Sequence, residues 1–279
     1  MPDRYAVIGN PVKHSKSPRI HEEFARQTKQ DIVYTTLDCE LNGFSEKVDE
    51  FFFRDGGKGL NVTVPFKNEA FRKVTPGDIS FGGVVDAEAV NTIKLVDGKL
   101  FGYNTDGIGL VTDIEQNLRF PIKNKRVLLM GAGGATQGVM HPVLEQRPDL
   151  LVVANRTMDK AIRIVRQFQK FENFTVHGIE ASPYPDLAGR QFDLIINATS
   201  AGLSGTMPPL PEGLFAPGAL AYDMVYGRDT PFLAFARRHG ARAADGLGML
   251  VEQAAESFFI WRDVRPQTAP VIEKLRDAS

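Results

Sequence analysis

The sequence contains a single cysteine, Cys39, among its 279 residues. One thiol can form neither an internal disulfide nor a zinc site built from several cysteines. The five histidines show no spacing that is typical of metal ligands. We therefore expect a fold that needs no covalent cross-link and holds no metal.

The sequence also lacks an excess of either charge, with 33 Lys and Arg against 34 Asp and Glu and a formal net charge of −1. Such a balance leaves no basic surface for nucleic acid or an anionic membrane. No apolar run approaches the roughly 18 residues of a transmembrane helix, and the first residues show no signal-peptide pattern. We expect a cytoplasmic metabolic protein that binds a small molecule, as a monomer or homodimer, and contacts neither nucleic acid nor membrane.

What is present is an alternation of strand-like and helix-like segments along the whole chain. Hydrophobic residues make up 43% and charged residues 24%, as is ordinary for soluble domains, and the length suffices for two of them. The alternation favours parallel sheets with helices on both faces. We predict an α/β protein in which residues 1–106 with 246–279 form an open substrate-binding domain. Residues 107–245 would form a Rossmann-like cofactor domain, and the C-terminal helices would pack back on the first domain.

The stretch Arg126–Gly138, RVLLMGAGGATQG, has the order of parts that opens a dinucleotide-binding unit. An apolar strand ends in Gly131 and Gly133, and a helix follows. These glycines would permit a tight turn and let a pyrophosphate approach the backbone at the helix N-terminus. A glycine-rich turn without a ligand is the alternative, but the flanking strand and helix favour the dinucleotide.

The end of the next strand, Leu150–Ala154, bears on the choice of cofactor. NAD-binding units usually place a carboxylate there to hold the ribose hydroxyls. This chain has Asn155 and Arg156 instead, with Lys160 one turn further on. Arginine and lysine bind a 2′-phosphate that a carboxylate would repel, so the sequence favours NADP. A solvated surface charge is the alternative explanation for Arg156.

Polar side chains in the first half lie at or just beyond predicted strand ends, where open α/β sheets bind ligands. Each also has an ordinary structural explanation: Ser17 could cap a helix, and Lys67 could be a surface lysine. The candidates are Ser15, Ser17, Asn61, Thr63, Lys67, Asn91, Asn104 and Asp106.

Over nearly its whole length the sequence resembles the shikimate dehydrogenases. The resemblance lies in YAVIGNPVKHSKSPRIH, GLNVTVPFK, AVNT, GYNTDGIGL, GAGGAT, NRT, DLIINATSAG, YDMVY and ADGLGMLVEQAA, in this order. It implies the reversible reduction of 3-dehydroshikimate to shikimate by NADPH, a step of chorismate and aromatic amino-acid biosynthesis. It also implies that the active site lies in a cleft between the two domains.

The resemblance also implies roles for individual residues. Lys67 and Asp106 would form the acid–base pair. Substrate contacts would come from Ser15, Ser17, Thr63, Asn91, Tyr226 and Gln253. Cofactor contacts would come from Gly131, Ala132, Gly133, Gly134, Ala135, Thr136, Asn155, Arg156, Thr157, Lys160, Thr199, Met224 and Gly246.

These roles agree with the chemistry of ketone reduction. As hydride reaches the carbonyl carbon, negative charge builds on its oxygen, which an ammonium group can stabilise and protonate. Lys67 could donate that proton itself, or could act as a charged hydrogen-bond donor while solvent completes the transfer. The sequence leaves both possibilities open.

The sequence departs from the family pattern around Glu88, which stands where glycine often precedes Ala-Val-Asn-Thr. The nearby segment Thr75–Val85 is also poor in helix formers, so local structure and substrate affinity could differ there. Thr136 replaces a common serine or arginine, with little expected consequence.

Two other functions deserve comparison with the main interpretation. A quinate/shikimate dehydrogenase that prefers NAD would be expected to carry an acidic residue near Asn155. A nicotinamide-sensing regulator on the same fold would be expected to lose Lys67 or Asp106, or to add a nucleic-acid-binding segment. Neither expectation matches this sequence.

Overall fold

A computed structural model describes residues 1–76, 87–169 and 178–277 of the chain. Helices and strands alternate through most of these ranges. The helices are Ser17–Thr28 (α1), Phe44–Asp49 (α2), Lys67–Lys73 (α3), Asp106–Thr112 (α4), Gly134–Glu145 (α5), Met158–Phe168 (α6), Pro231–Arg238 (α7), Leu247–Arg262 (α8) and Ala269–Asp277 (α9). Wider π-type turns extend α2 over Glu50–Arg54 and α4 over Asp113–Asn117, and short 3₁₀ turns cover Tyr184–Leu187 and Ala201–Ser204.

Within the described residues, the strands form two sheets of six. They are Asp3–Gly9 (β1), Ile32–Asp38 (β2), Gly57–Val62 (β3), Thr75–Pro76 (β4), Thr92–Val96 (β5), Lys99–Tyr103 (β6), Arg126–Met130 (β7), Leu150–Ala154 (β8), Gly178–Ser182 (β9), Phe192–Asn197 (β10), Phe215–Asp223 (β11) and Arg242–Asp245 (β12).

One compact unit comprises Met1–Gly109 together with the chain from Leu250 onward. Its sheet has the order β2-β1-β3-β5-β6-β4. Strands β1, β2 and β3 are parallel, whereas β5 runs antiparallel to both β3 and β6. The expectation of parallel sheets is therefore wrong for part of this unit. The dipeptide Asp97-Gly98, a sequence that predicts a hairpin turn, joins β5 and β6 with φ of 48° and 75° at its two residues.

The other compact unit spans Leu110–Met249. Its strand order, β12-β11-β10-β7-β8-β9, is that of a doubly wound Rossmann sheet, and every described pairing is parallel. Apolar clusters cover both faces of β7, with Val127 and Leu129 in one and Leu128 and Met130 in the other. Burial on both faces explains why the strand is apolar from Val127 to Met130.

The first turn of α1 differs from the expected cap. Helix α1 begins at Ser17, and the capping position belongs to Lys16, whose side chain makes no capping hydrogen bond. The backbone N–H of Ser17 instead donates to the hydroxyl of Ser15 at 3.2 Å. Ser17 is therefore the first residue of the helix and not its cap.

The start of α8 packs against a buried carboxylate in the same unit. Tyr222, fully buried, donates its phenol hydrogen to Asp113 at 2.6 Å, and burial raises the pKa of this tyrosine well above its usual value. A β-carbon at Gly248 would overlap the Asp113 carboxylate. The glycine of the LGML sequence is therefore required by close packing at this point.

Two sequence expectations lie partly outside the described residues. The sequence of Phe174–His177 predicts a weak strand, but this stretch falls within 170–177, and strand β9 is described from Gly178. Most of the segment Thr75–Val85 falls within 77–86. Across the three described ranges, no helix is long and apolar enough to cross a membrane, and no cluster of three or more His, Cys, Asp or Glu could hold a metal ion.

Glu88 adopts a backbone conformation that favours glycine, with φ of 47° and an exposed side chain. We expect Glu88→Gly to raise the free energy of unfolding by about 0.5–1 kcal/mol, because a β-carbon is costly in this region. Chemical denaturation measures the change. Glu46→Gly, at an exposed position inside α2, is the control and should lower stability by about 1 kcal/mol. Equal losses in both variants would contradict the prediction.

Candidate active site

Lys67 and Asp106 form an ion pair in the first unit. Lys67 opens α3 just after β3, and Asp106 opens α4 just after β6. The lysine ammonium contacts the Oδ2 atom of the aspartate, and the two side chains keep 30% and 19% of their surface exposed. The pair is partly desolvated yet open to a ligand, which is what an acid–base pair needs.

Asn91 holds the aspartate of this pair in place. Its Nδ2 donates to the other Asp106 oxygen, Oδ1, and to the Thr105 hydroxyl, both at 2.9 Å. Its Oδ1 accepts from the Thr105 backbone N–H and the Thr92 hydroxyl, again at 2.9 Å. The amide is thus engaged at both ends by protein groups and orients the Asp106 carboxylate.

Gln253, on α8, lies beside the same amide. Its Oε1 is 3.4 Å from the Asn91 Nδ2 and from the Thr105 hydroxyl, and its Nε2 donates to the Leu250 carbonyl at 2.8 Å. Lys67, Asp106, Asn91 and Gln253, far apart in sequence, are therefore neighbours. The structure brings these four predicted residues together in one unit.

Three hydroxyl residues follow the carboxyl ends of β1 and β3, which are parallel strands of the same sheet. Ser15 and Ser17 follow β1, and Thr63 follows β3 directly. Ser17 is 7% exposed, and its hydroxyl is close enough to Tyr34 to influence the pKa of that phenol. A β-carbon at Gly9 would press against the Thr63 methyl group, so the end of β1 must be glycine.

A buried hydrogen-bond network continues away from Asn91 into the core. The Asn61 amide donates to the hydroxyls of Ser257 and Thr92 at 3.0 and 3.1 Å, and accepts from Tyr34 at 2.7 Å. Ser257 also lies 3.3 Å from the Thr105 hydroxyl. The sequence analysis included Asn61 but missed Ser257, which lies one helical turn beyond Gln253 and hence on the same face of α8.

His21 occupies an aromatic site next to this network. Its ring stacks on Tyr34 with centroids 4.2 Å apart and an interplanar angle of 6°, and Phe24, Phe258 and Trp261 surround it. Neither ring nitrogen has a hydrogen-bond partner among the described residues. Burial lowers the pKa of His21 to about 3, against a smaller opposing effect of the nearby Asn61.

The glycine turn of the second unit forms an open cradle. Gly131 has φ of 103°, and a β-carbon there would lie 3.1 Å from the Thr199 methyl and 3.3 Å from the Ala198 carbonyl. Above Gly133 and Gly134, by contrast, a β-carbon would meet nothing within 4 Å. Helix α5 begins at Gly134 without a side-chain cap, so its first N–H groups face this open space. Such a turn fits a pyrophosphate.

A pocket of about 640 Å³ lies over this cradle, at the point where the strand order reverses between β7 and β10. It is lined by Gly131–Ala135, Asn155–Thr157, Lys160, Tyr184, Ala198–Ala201 and Thr206–Pro209. Ten of the thirteen predicted cofactor residues are in this lining. Tyr184 and the segment Thr206–Pro209 were missed, because neither carries a motif.

The other three predicted cofactor residues lie outside the lining. Thr136 is buried, and its hydroxyl donates to the Gly131 carbonyl at 2.9 Å, so it stabilises the turn from behind. Met224 and Gly246 follow β11 and β12. A β-carbon at Gly246 would overlap the Met224 carbonyl, so this glycine is required by a close backbone approach.

Two cationic side chains lie at the rim of the pocket. Arg156 and Lys160 are exposed, and neither forms an ion pair with any residue in the described part of the chain. The Asn155 amide donates to the Thr157 carbonyl at 2.8 Å, which shapes the turn that presents Arg156. The rim therefore offers free positive charge to an anion.

A second polar network supports the opposite wall of the pocket. Asn197 accepts from the backbone N–H and hydroxyl of Thr199 at 3.1 and 2.7 Å, and donates to the buried Asp223 at 3.2 Å. Burial raises the pKa of Asp223, and the hydroxyl of Thr230 opposes that effect. Tyr226 follows β11, and burial raises the pKa of its phenol. Thr199 is thus held rigidly where it lines the pocket.

The Rossmann strand order, the glycine cradle and the rim cations define a dinucleotide-binding α/β protein. The nicotinamide-dependent oxidoreductases belong to this class.

Comparison with known proteins identifies the family within this class. Three family models match successive parts of the chain: the shikimate dehydrogenase substrate binding domain over residues 7–93, shikimate / quinate 5-dehydrogenase over 114–204, and the shikimate 5′-dehydrogenase C-terminal domain over 246–276. The chain belongs to the shikimate dehydrogenase family.

Curated relatives match the chain from end to end. A shikimate dehydrogenase (NADP(+)) of Chromobacterium violaceum is 53% identical over 279 residues, covering 99% of each protein. One of Methylobacillus flagellatus is also 53% identical, covering 99% of this chain and all of the relative.

Solved structures agree with this assignment. A shikimate 5-dehydrogenase of Thermus thermophilus in complex with NADP(H) and shikimate has a TM-score of 0.86 and 30% identity, with 99% of this chain and 100% of that chain covered. An Ael1 enzyme of Pseudomonas putida has a TM-score of 0.90 and 45% identity, with 98% of both chains covered.

Proposed function

We propose that this protein catalyses the reversible, NADP-dependent interconversion of 3-dehydroshikimate and shikimate, a step in the biosynthesis of aromatic amino acids. The observation that carries the proposal is the half-buried ion pair of Lys67 and Asp106, oriented by Asn91. We assign substrate binding to residues 1–106 with 246–279 and cofactor binding to residues 107–245.

The substrate is a small carboxylate with three ring oxygens. Ser15 and Ser17, at the first turn of α1, supply hydroxyls beside a helix N-terminus, which favours a carboxylate. Thr63 and Gln253 place further polar groups in the same unit as Lys67. Polar sites of this kind reject analogues that leave their groups unpaired.

Reduction of the ketone builds negative charge on the carbonyl oxygen, and a side chain must stabilise and protonate that oxygen. NADPH, when bound, supplies the hydride. Lys67 donates to the oxygen as negative charge develops there and gives it a proton; in the reverse direction it accepts the hydroxyl proton. Asp106 orients the ammonium group, and Asn91 in turn fixes Asp106.

The cofactor would occupy the pocket over the glycine cradle. Its pyrophosphate would rest on Gly133, Gly134 and the N-terminus of α5, where there is space for it. Its 2′-phosphate would bind Arg156 and Lys160 at the rim of this pocket, neither of which has an ion-pair partner in the described ranges. A carboxylate that would favour NAD is missing at this strand end.

A direct assay tests the proposal. The protein is mixed with shikimate and NADP, with shikimate and NAD, and with quinate and each cofactor, and reduced nicotinamide is followed by absorbance. We expect rapid reduction with shikimate and NADP only. Preference for NAD or quinate would support the quinate/shikimate dehydrogenase instead, and absence of any reduction would support a non-catalytic regulator.

Arg156→Ala should change cofactor preference. Loss of a charge-assisted hydrogen bond costs about 1.5–3 kcal/mol, so kcat/KM for NADP should fall about 10- to 100-fold while that for NAD stays within about twofold. Steady-state kinetics with both cofactors measure the ratio. Arg163→Ala removes the same charge from an exposed position on α6 outside this pocket and should leave the ratio unchanged. A similar loss with NAD would contradict a role in binding the 2′-phosphate.

A further inference from the structure

Tyr184 lies beside Arg156 because of the register of two neighbouring strands. Strands β8 and β9 are parallel, and Ala154 is paired with Ser182. Arg156 and Tyr184 each follow two residues beyond this pair, so both emerge at the same edge of the sheet. Tyr184 opens a short 3₁₀ turn, and the prolines on either side of it restrict its backbone.

The tyrosine ring is packed, yet the residue lines the dinucleotide pocket. Only 5% of Tyr184 is exposed, and it belongs to an apolar cluster that includes Leu187 and Phe192. It also lines the pocket together with Arg156 and Lys160. A ring held by the core in this way presents a rigid edge to a bound ligand.

The hydroxyl of Tyr184 has no hydrogen-bond partner within residues 1–76, 87–169 and 178–277. Burial raises the pKa of this phenol to about 12, although the charge of Arg156 acts in the opposite direction. The hydroxyl therefore keeps its proton near neutral pH and is a donor. A phenol donor next to a guanidinium and an ammonium suits a ligand with several anionic acceptor oxygens, such as a phosphate monoester.

We propose that Tyr184 is a specificity-determining residue of the dinucleotide site, whose hydroxyl donates a hydrogen bond to the 2′-phosphate held by Arg156 and Lys160. This inference rests on the proposed function, since it needs NADP as the cofactor. It adds a neutral donor to the two cations, and it makes phosphate recognition depend on strand β9 as well as β8.

Nucleotide fragments separate this role from general cofactor binding. Calorimetry measures the Kd of the full-length wild-type protein and of Tyr184→Phe for adenosine 2′,5′-bisphosphate and for 5′-AMP. We expect Tyr184→Phe to weaken the bisphosphate about tenfold, as for loss of a hydrogen bond to a charged group, and to change 5′-AMP less than twofold. Tyr103→Phe, in the other unit, is the control and should bind both fragments like the wild type.

Each outcome has a distinct meaning. If wild-type protein binds both fragments equally, the NADP preference of the proposed function is wrong, and the role of Tyr184 falls with it. If wild-type protein prefers the bisphosphate and Tyr184→Phe keeps that preference, the function stands and the role of Tyr184 is overturned. Equal weakening of both fragments would place the hydroxyl against the adenosine and would also overturn it. In an Arg156→Ala background, Tyr184→Phe should weaken binding of the bisphosphate by a smaller factor than in the wild type, because both residues would bind one phosphate.

Discussion

Replacement of Lys67 by alanine is expected to lower kcat for shikimate oxidation by about 10²- to 10⁴-fold, the range for loss of a positioned proton-transfer group. The KM for shikimate should change much less, because the proposed substrate contacts of Ser15, Ser17 and Thr63 remain in the variant. The fold should survive, since Asp106 keeps its hydrogen bond from Asn91 and remains 19% exposed to water. Steady-state kinetics in both directions measure the loss.

Added amines separate proton transfer from simple charge stabilisation in Lys67→Ala. Methylamine carries a charge and a transferable proton, whereas tetramethylammonium carries only the charge. We expect methylamine alone to restore activity in proportion to its concentration. Restoration by both cations would assign Lys67 the role of a charge stabiliser, with solvent completing the proton transfer.

The matched control for this experiment is Lys58→Ala, which removes an exposed lysine from β3 and should retain wild-type kinetics. If Lys67→Ala itself kept most of the wild-type kcat with an unchanged pH profile, Lys67 would be neither the acid nor the main stabiliser of the oxyanion.

The stability of the protein is expected to fall in acid because of His21. Its pKa is lowered to about 3 in the fold, whereas the unfolded chain titrates near 6.5. The unfolded chain therefore binds the proton more readily, so stability is fully present above about pH 6.5 and is lost as the pH falls toward 3. This one group should cost about 1 kcal/mol at pH 5.5 and about 3 kcal/mol at pH 4.5.

Comparison with His21→Phe isolates this effect from the titration of carboxylates. Phenylalanine retains the aromatic packing against Tyr34 and Trp261 and removes two nitrogens that have no hydrogen-bond partner among the described residues. Denaturant unfolding from pH 7.5 to 4.5 should show a smaller loss of stability in the variant, by the amounts given above. His14→Gln, at an exposed histidine, should follow the wild type. Parallel curves for the wild type and His21→Phe would refute the explanation.

Most elements of the unit Leu110–Met249 could be predicted from local sequence patterns. A strand segment buried on both faces must be apolar, as are β7 from Val127 onward and the whole of β8. Threonine followed by proline is a typical start of a helix, and at Thr230-Pro231 helix α7 does begin, with the Thr230 hydroxyl accepting from the Leu233 N–H at 3.3 Å. The mixed character of the other sheet was less accessible, because the pairing of β5 with β3 depends on contacts about 30 residues apart in sequence.

The residues of the candidate site also divide into those that the sequence predicts and those that it does not. Arg156 could be predicted because it directly follows a strand, and Lys67 and Asp106 because they belong to recognisable stretches of sequence. Ser257 and Tyr184 could not, because no local pattern sets them apart from ordinary buried residues. Their importance comes from hydrogen bonds and strand registers that link distant segments.

By itself, the sequence determined the order of the elements, the turn at Gly131 and the residue types available for chemistry, since these follow from local sterics and periodicity. Only the tertiary structure decided which polar groups remain available to a ligand and which form hydrogen bonds within the protein. Asn91 shows the difference: its amide is a plausible substrate contact in sequence, and in the fold both of its ends hold Thr105 and Asp106. The reason is physical, because a buried amide must satisfy its donors and acceptors with whatever groups the packing brings within about 3 Å.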